Sequence, residues 1–151
     1  MIAHRSVLVA ALALCCATAP ARAEDDAELF IYSVALSKET ELVWAIKQSR
    51  FTAIPVWHAG VEEAPLSPNK AVAIANEYVQ SQLGVRGASI LWIYIKPIRD
   101  ESDNRWMYDI DYSTDPPLMS DDPRLHVSVA MDGKVIVPEK RPSSEHVRHI
   151  K

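Results

Sequence analysis

Asp109 and Asp111 stand two residues apart in the run Arg105–Ser113. If that run is extended, both carboxylates point to one side with their Cβ atoms about 7 Å apart. Such a separation suits the acid and base of a glycoside hydrolase. Catalytic carboxylates need a cleft that displaces one pKa, however, and an open sheet face supplies none. The plainer expectation is cross-strand pairing with Lys96 or Arg105. A hydrolase built on Asp109 and Asp111 stays as an alternative reading.

Other chemistry finds less support. His146-x-x-His149 is the one closely spaced histidine pair, in a polar tail with no third ligand evident. Asp121-Asp122 and Asp100-Glu101-Ser102-Asp103 lack the ligand and glycine spacing of a calcium loop. They read as solvated turns. No Gly-x-Ser-x-Gly elbow exists, and Gly60, Gly84, Gly87 and Gly133 are too scattered for a phosphate loop. No metal, cofactor or catalytic residue is assigned.

The aromatic residues carry the remaining signal. Trp92 and Tyr94, with Met107 and His126, map to one sheet face that is too aromatic to be bare and too charged to be a core. Two outcomes are open. The N-terminal segment, with Phe30, Trp44, Phe51 and Trp57, folds over that face. Alternatively the face is exposed and docks a protein or peptide partner, with the aromatics as anchors.

The elements that must position these residues follow from punctuation and periodicity. Ser67 can cap a helix, Pro68 suits its first turn, and Gly84 suits the position past its end. Between them Ala71, Val72, Ile74, Ala75, Tyr78, Val79 and Leu83 recur at helical spacing, predicting an amphipathic helix over Ser67–Leu83. Ser89–Ile98 reads as a strand, Asp100–Asn104 as a turn, and Arg105–Ser113 and Arg124–Met131 as alternating strands. Asp132-Gly133 predicts a type I′ hairpin turn into Val135–Val137.

The N-terminal third is less regular. Leu29–Leu36 reads as a strand, Glu39–Gln48 as a short helix around Leu42, Val43 and Ile46, and Phe51–Trp57 as extended ahead of Pro55. The polar residues 139–151 read as a mobile tail.

These elements predict an α+β fold. One amphipathic helix packs across a three- to four-stranded antiparallel sheet, and an N-terminal segment is available to cover the other face. Leu91, Ile93, Ile95, Trp106, Tyr108, Ile110, Leu125, Val127 and Val129 are expected beneath the helix. Ile90, Trp92, Tyr94, Lys96, Arg105, Met107, Asp109, Asp111 and His126 are expected on the reverse. A small-ligand carrier would need a cavity under the helix, and Tyr78, Trp106 and Tyr108 are bulky enough to fill it.

Residues 1–23 have the layout of a secretory signal peptide. His4 and Arg5 precede the apolar stretch Val7–Ala19, and Ala21-Arg22-Ala23 is a small-x-small cleavage site. Cleavage would remove Cys15 and Cys16, both of the cysteines, and leave a chain with no thiol and no stable membrane insertion. The protein is therefore expected in the periplasm or outside the cell. Its 20 acidic residues exceed its 16 basic ones, and no basic cluster is present, which disfavours nucleic acid as a partner. The expected organisation is a signal peptide over 1–23, an N-terminal segment over 24–66, an α+β domain over 67–138 and a tail over 139–151.

Within residues 67–138, Lys70-Ala71-Val72-Ala73-Ile74-Ala75 opens a helix, followed by Trp92-Ile93-Tyr94, Trp106-Met107-Tyr108-Asp109-Ile110, and Val127 through Val135. In these runs the segment resembles a PepSY-type domain, a small exported cystatin-like unit. Two departures stand out. The Ser113–Pro123 insertion is long, and the family's Asp-x-x-Thr-Gly hairpin reads Ala130-Met131-Asp132-Gly133. The resemblance implies a non-catalytic binding or inhibitory module acting through the aromatic face, and it supplies no catalytic residues.

Overall fold

The computed structural model describes residues 26–113 and 124–143. The signal-peptide reading, Asp121-Asp122 and the His146/His149 pair lie outside the described residues.

Strands β1 (Glu28–Ala35) and β2 (Thr40–Lys47) form an antiparallel hairpin. The helix expected over Glu39–Gln48 is thus a strand. Leu42, Val43 and Ile46 fit helical spacing, but Leu42, Trp44 and Ile46 also alternate, and burial of Trp44 and Ile46 decides for period two. A short helix α1 (Gln48–Ala53) follows and buries Phe51, so the expected extended stretch starts only at Ile54. There Pro55 enforces it, holding Ile54 at ψ 132°.

Helix α2 (Pro68–Ser81) is capped as its sequence predicts. The Ser67 hydroxyl accepts from the Lys70 N–H at 3.4 Å. Gly84 takes φ +67°, and the Val85 N–H closes the end on the Val79 carbonyl at 3.1 Å. Strands β3 (Ser89–Pro97), β4 (Trp106–Ser113), β5 (Arg124–Ala130) and β6 (Val135–Ile136) form an antiparallel sheet in the order β3-β4-β5-β6.

Between β3 and β4, the Asp100 carboxylate accepts from the Ser102 N–H at 2.7 Å, and Asn104 adopts φ 50°. The β5–β6 turn is not type I′, since only Gly133 has positive φ there, at +77°. The Gly133 N–H reaches the Ala130 carbonyl at 2.9 Å and the Ala130 N–H reaches Lys134 at 3.1 Å. That is a three-residue loop with a left-handed glycine closing it.

The expected tail contributes a further strand. β7 (Glu139–Pro142) pairs with β2, and Arg141 donates to Glu28 through two bonds of 2.7 Å. The result is a second antiparallel sheet, β1-β2-β7. The protein is therefore α+β, with one main helix and two sheets.

Helix α2 packs on β4, β5 and β6. The Tyr108 hydroxyl donates to the Leu66 carbonyl at 2.7 Å, and the Tyr112 hydroxyl to Asn76 Oδ1 at 2.8 Å. The three-stranded sheet covers the reverse face of the same strands, placing Tyr32 and Trp44 over His126. One core runs through all three layers, from Trp44 and Ile46 to Val79, Ile110 and Ile136.

Candidate functional site

β4 runs between the two coverings. Trp106, Tyr108, Ile110 and Tyr112 face the helix side, and Met107, Asp109 and Asp111 take the reverse by strand alternation. Residues facing each other on paired strands share a side, so the register Asp109↔Ser128 and Asp111↔His126 adds two β5 residues to that reverse group. Tyr94↔Asp109 and Trp92↔Asp111 add β3 residues from the other flank.

A buried polar cluster results. Asp109 and Asp111 are only 3% and 6% exposed. One Asp109 oxygen pairs with the Lys96 ammonium, and the other meets His126 Nε2 at 2.9 Å and accepts from the Ser128 hydroxyl at 2.7 Å. His126 Nδ1 bonds Asp111. The Ser128 and Tyr32 hydroxyls are 3.0 Å apart, and Lys96 Nζ sits 4.2 Å from the Tyr32 ring centroid. Tyr32 stacks on Trp44 at 4.6 Å, and both rings meet His126 edge-on.

The electrostatics follow. Burial alone would push the Asp109 carboxyl up, but bonds from His126, Lys96 and Ser128 together hold it below its ordinary value of 3.8. Burial likewise opposes charge on His126, yet Asp109 and Asp111 at its two nitrogens raise its pKa above 6.5. The doubly protonated ring, a donor at both nitrogens, is the form these partners satisfy. Burial and the nearby Asp109 charge push the Tyr32 phenol upward.

This geometry does not assemble a nucleophile. Ser128 donates to a carboxylate and not to the histidine, and both His126 nitrogens are occupied. Among the described residues, no group of three or more His, Cys, Asp or Glu is placed to hold a metal. Nor, among them, is any helix long and apolar enough to cross a membrane.

The residues singled out from sequence separate into two places. Asp109, Asp111, Lys96 and His126 come together, with Lys96 rather than Arg105 as the carboxylate partner. Arg105 instead donates to the Asp103 and Thr52 carbonyls and lies 5.1 Å from the Phe51 ring centroid. Met107 is fully buried beneath the second sheet and His126 is largely enclosed. Neither belongs to an open docking face with the two aromatics.

Trp92 and Tyr94 remain open, 58% and 49% exposed. The reason is lateral. β3 is the edge of its sheet, and α2 lies over β4, β5 and β6. Leu91, Ile93 and Ile95, expected beneath the helix, are about as exposed as the aromatics opposite them. A bulge between Ile90 and Trp92 also brings Ile90 opposite Tyr112, on the helix side rather than the reverse.

Sequence reasoning missed Tyr32 and Ser128. Ser128 was reachable, being polar inside a strand and in step with His126. Tyr32 was not, because its partners come from a strand 96 positions away. No family model, no curated protein and no solved structure matches the chain.

Proposed function

We propose that the chain is an exported, non-catalytic binding or inhibitory module that docks an extended protein or peptide partner along β3. Trp92 and Tyr94 are its anchors. The observation that carries this reading is the edge strand itself, with six consecutive apolar residues, Ile90–Ile95, all more than a third exposed. Strand addition to a free edge takes affinity from main-chain bonds and specificity from alternate side chains.

Several features support the rest. The carboxylates that might have served a hydrolase are buried in ion pairs with one another's partners, which favours a structural role for them. Helix α2 lying across an antiparallel sheet whose last two strands are joined by the Met131-Asp132-Gly133 loop supports a cystatin-like, PepSY-type reading of residues 67–138. The pattern of residues 1–23 supports export to the periplasm or beyond.

The test is a photo-crosslinking residue placed at Tyr94 in the producing cell. The expected result is a discrete adduct that falls about tenfold when Trp92→Ala is added, the loss typical of an interface anchor. A yield at Tyr94 no higher than at exposed Glu77 on the helix would overturn the proposal.

A further inference from the structure

We infer that the occupant of the β3 edge is a second copy of this chain, paired antiparallel about a two-fold axis at Ile93. The inference rests on the binding reading above and names its partner.

Sheet edges are normally defended by charge, proline, bulges or brevity. β6 is two residues long and is followed by Pro138. β7 is four residues, Glu-Lys-Arg-Pro. β1 begins at Glu28 and is broken by a bulge between Phe30 and Tyr32. β3 is nine residues, and after its bulge it runs regularly from Trp92 to Pro97. Its first charge is Lys96, already paired to Asp109. Among the described residues, nothing pairs with its outer side.

Self-pairing fits this strand better than a foreign partner does. A chain chosen by charge would need a complementary charge pattern, and Ile90–Ile95 carries none. Residues facing each other across an antiparallel two-fold must share a face, so the axis passes through a residue and its own copy. With Ile93 on the axis, each Trp92 faces the other copy's Tyr94, twice on one face. Ile93 faces itself on the other face, regular pairing covers Trp92–Tyr94, and it ends where Ile95 meets the bulge at Leu91 of the copy, with Lys96 toward the rim.

The area is that of a weak, concentration-dependent contact. From their exposures, Ile90–Ile95 leave about 600 Å² open per copy, so pairing removes less than about 1,200 Å², the range of weak and transient interfaces. The two four-stranded sheets become one sheet of eight strands with β3 no longer an edge. A two-fold contact closes on itself, so assembly stops at the dimer.

The test measures the mass of the purified chain, as the producing cell delivers it, by sedimentation from about 1 to 200 μM, a range suited to an interface of minimal size. The wild type is expected to double in mass with rising concentration. Acrylamide quenching of tryptophan should fall in parallel, since Trp44 and Trp57 are already buried and Trp92 is the exposed ring.

Ile93→Lys and Ile93→Glu, each checked for native circular dichroism, should both stay monomeric, because each sets a charge against its own copy. An equimolar mixture of the two should recover dimer. Trp92→Lys, at a site already mostly solvated, is a second disrupting variant that leaves the fold intact, with dimerisation at least about tenfold weaker.

A wild type that is monomeric throughout overturns the inference, as does a dimer indifferent to Ile93→Lys and Trp92→Lys. Failure of the Lys and Glu variants to recombine takes Ile93 off the axis and overturns it too. The Tyr94 crosslink separates the two proposals. An adduct of twice the chain's mass supports both, an adduct with a different protein overturns only the second copy, and no adduct overturns both.

Discussion

β3 and β4 are neighbours in one sheet, similar in length and both rich in aromatic and β-branched residues, yet their surroundings are opposite. Every residue of β4 from Met107 to Tyr112 is buried, while every residue of β3 from Ser89 to Ile95 is exposed. The coverings explain it. Helix α2 packs on β4, β5 and β6, and the β1-β2-β7 sheet meets β6 and, through Tyr32 and Trp44, His126 of β5, reaching β3 only at Lys96. The polar residues sit in the covered strand and the apolar ones at the open edge, the reverse of what alternation alone predicts. A polar group survives burial when neighbours satisfy it, and Asp109 has three. The exposed apolar run of β3 has no such remedy among the described residues.

The contrast breaks most sharply at Asp109. Asp109→Ala removes the acceptor shared by Lys96, His126 and Ser128, while His126 keeps Asp111 and both cations keep some contact with solvent. A loss of about 3 kcal/mol in urea unfolding is expected, the low end for breaking a buried pair by deleting one partner. A loss under about 1 kcal/mol would mean that solvent reaches the cluster and that the second sheet does not seal it.

Acidity probes the same cluster without a substitution. Asp109 titrates below its ordinary value in the folded chain, so its contribution is present above about pH 4 and is lost as pH falls through the folded pKa. His126 titrates above 6.5, so its contribution is complete below that value and is lost as pH rises through the folded pKa. Urea midpoints should therefore plateau between about pH 4 and 6.5 and fall on both sides. His126→Gln should flatten the alkaline fall and also shrink the acid one, because His126 supplies part of what holds Asp109 low. An alkaline limb unchanged in that variant would assign the effect to another group.

On the helix side the expected effect is smaller. Tyr108→Phe keeps the ring in the core and deletes one 2.7 Å bond, leaving the Leu66 carbonyl without that donor. About 1–2 kcal/mol should be lost. A neutral result would show that water replaces the hydroxyl there.

Legibility in the sequence follows the same division between local and distant causes. Ser67, Pro68 and Gly84 announced helix α2 because caps act within a few residues, and the structure realises each of them. β4 and β5 were legible from period two. β2 was not, since Leu42, Val43 and Ile46 satisfy helical spacing and only the burial of Trp44 against a sheet elsewhere in the chain resolves the ambiguity. β7 gave no signal, because Glu139-Lys140-Arg141-Pro142 has tail composition and pairs only because β2 offers it an edge. The carboxylates, lysine and histidine of the cluster were each visible as residues on one face. Their enclosure depends on Tyr32 and Trp44 arriving from the N-terminal third, which no local pattern encodes. The cover expected from Phe30 does not form, as that ring is exposed on the far side of its sheet.

The smallest stability effect belongs to the residue with the largest proposed functional one. Trp92 is the most exposed tryptophan, and truncating it removes little that the folded monomer buries. Trp92→Ala should therefore change the unfolding free energy in urea by no more than about 0.5 kcal/mol when measured at low micromolar protein, where the proposed dimer is dissociated. At high concentration the wild type should become the more stable of the two, because a dimer that only the folded chain can form stabilises it by mass action. Concentration-dependent wild-type stability beside a concentration-independent Trp92→Ala variant would locate that gain at β3. Equal stability at every concentration would mean that β3 stays solvated, and the contrast with β4 would then be one of packing alone.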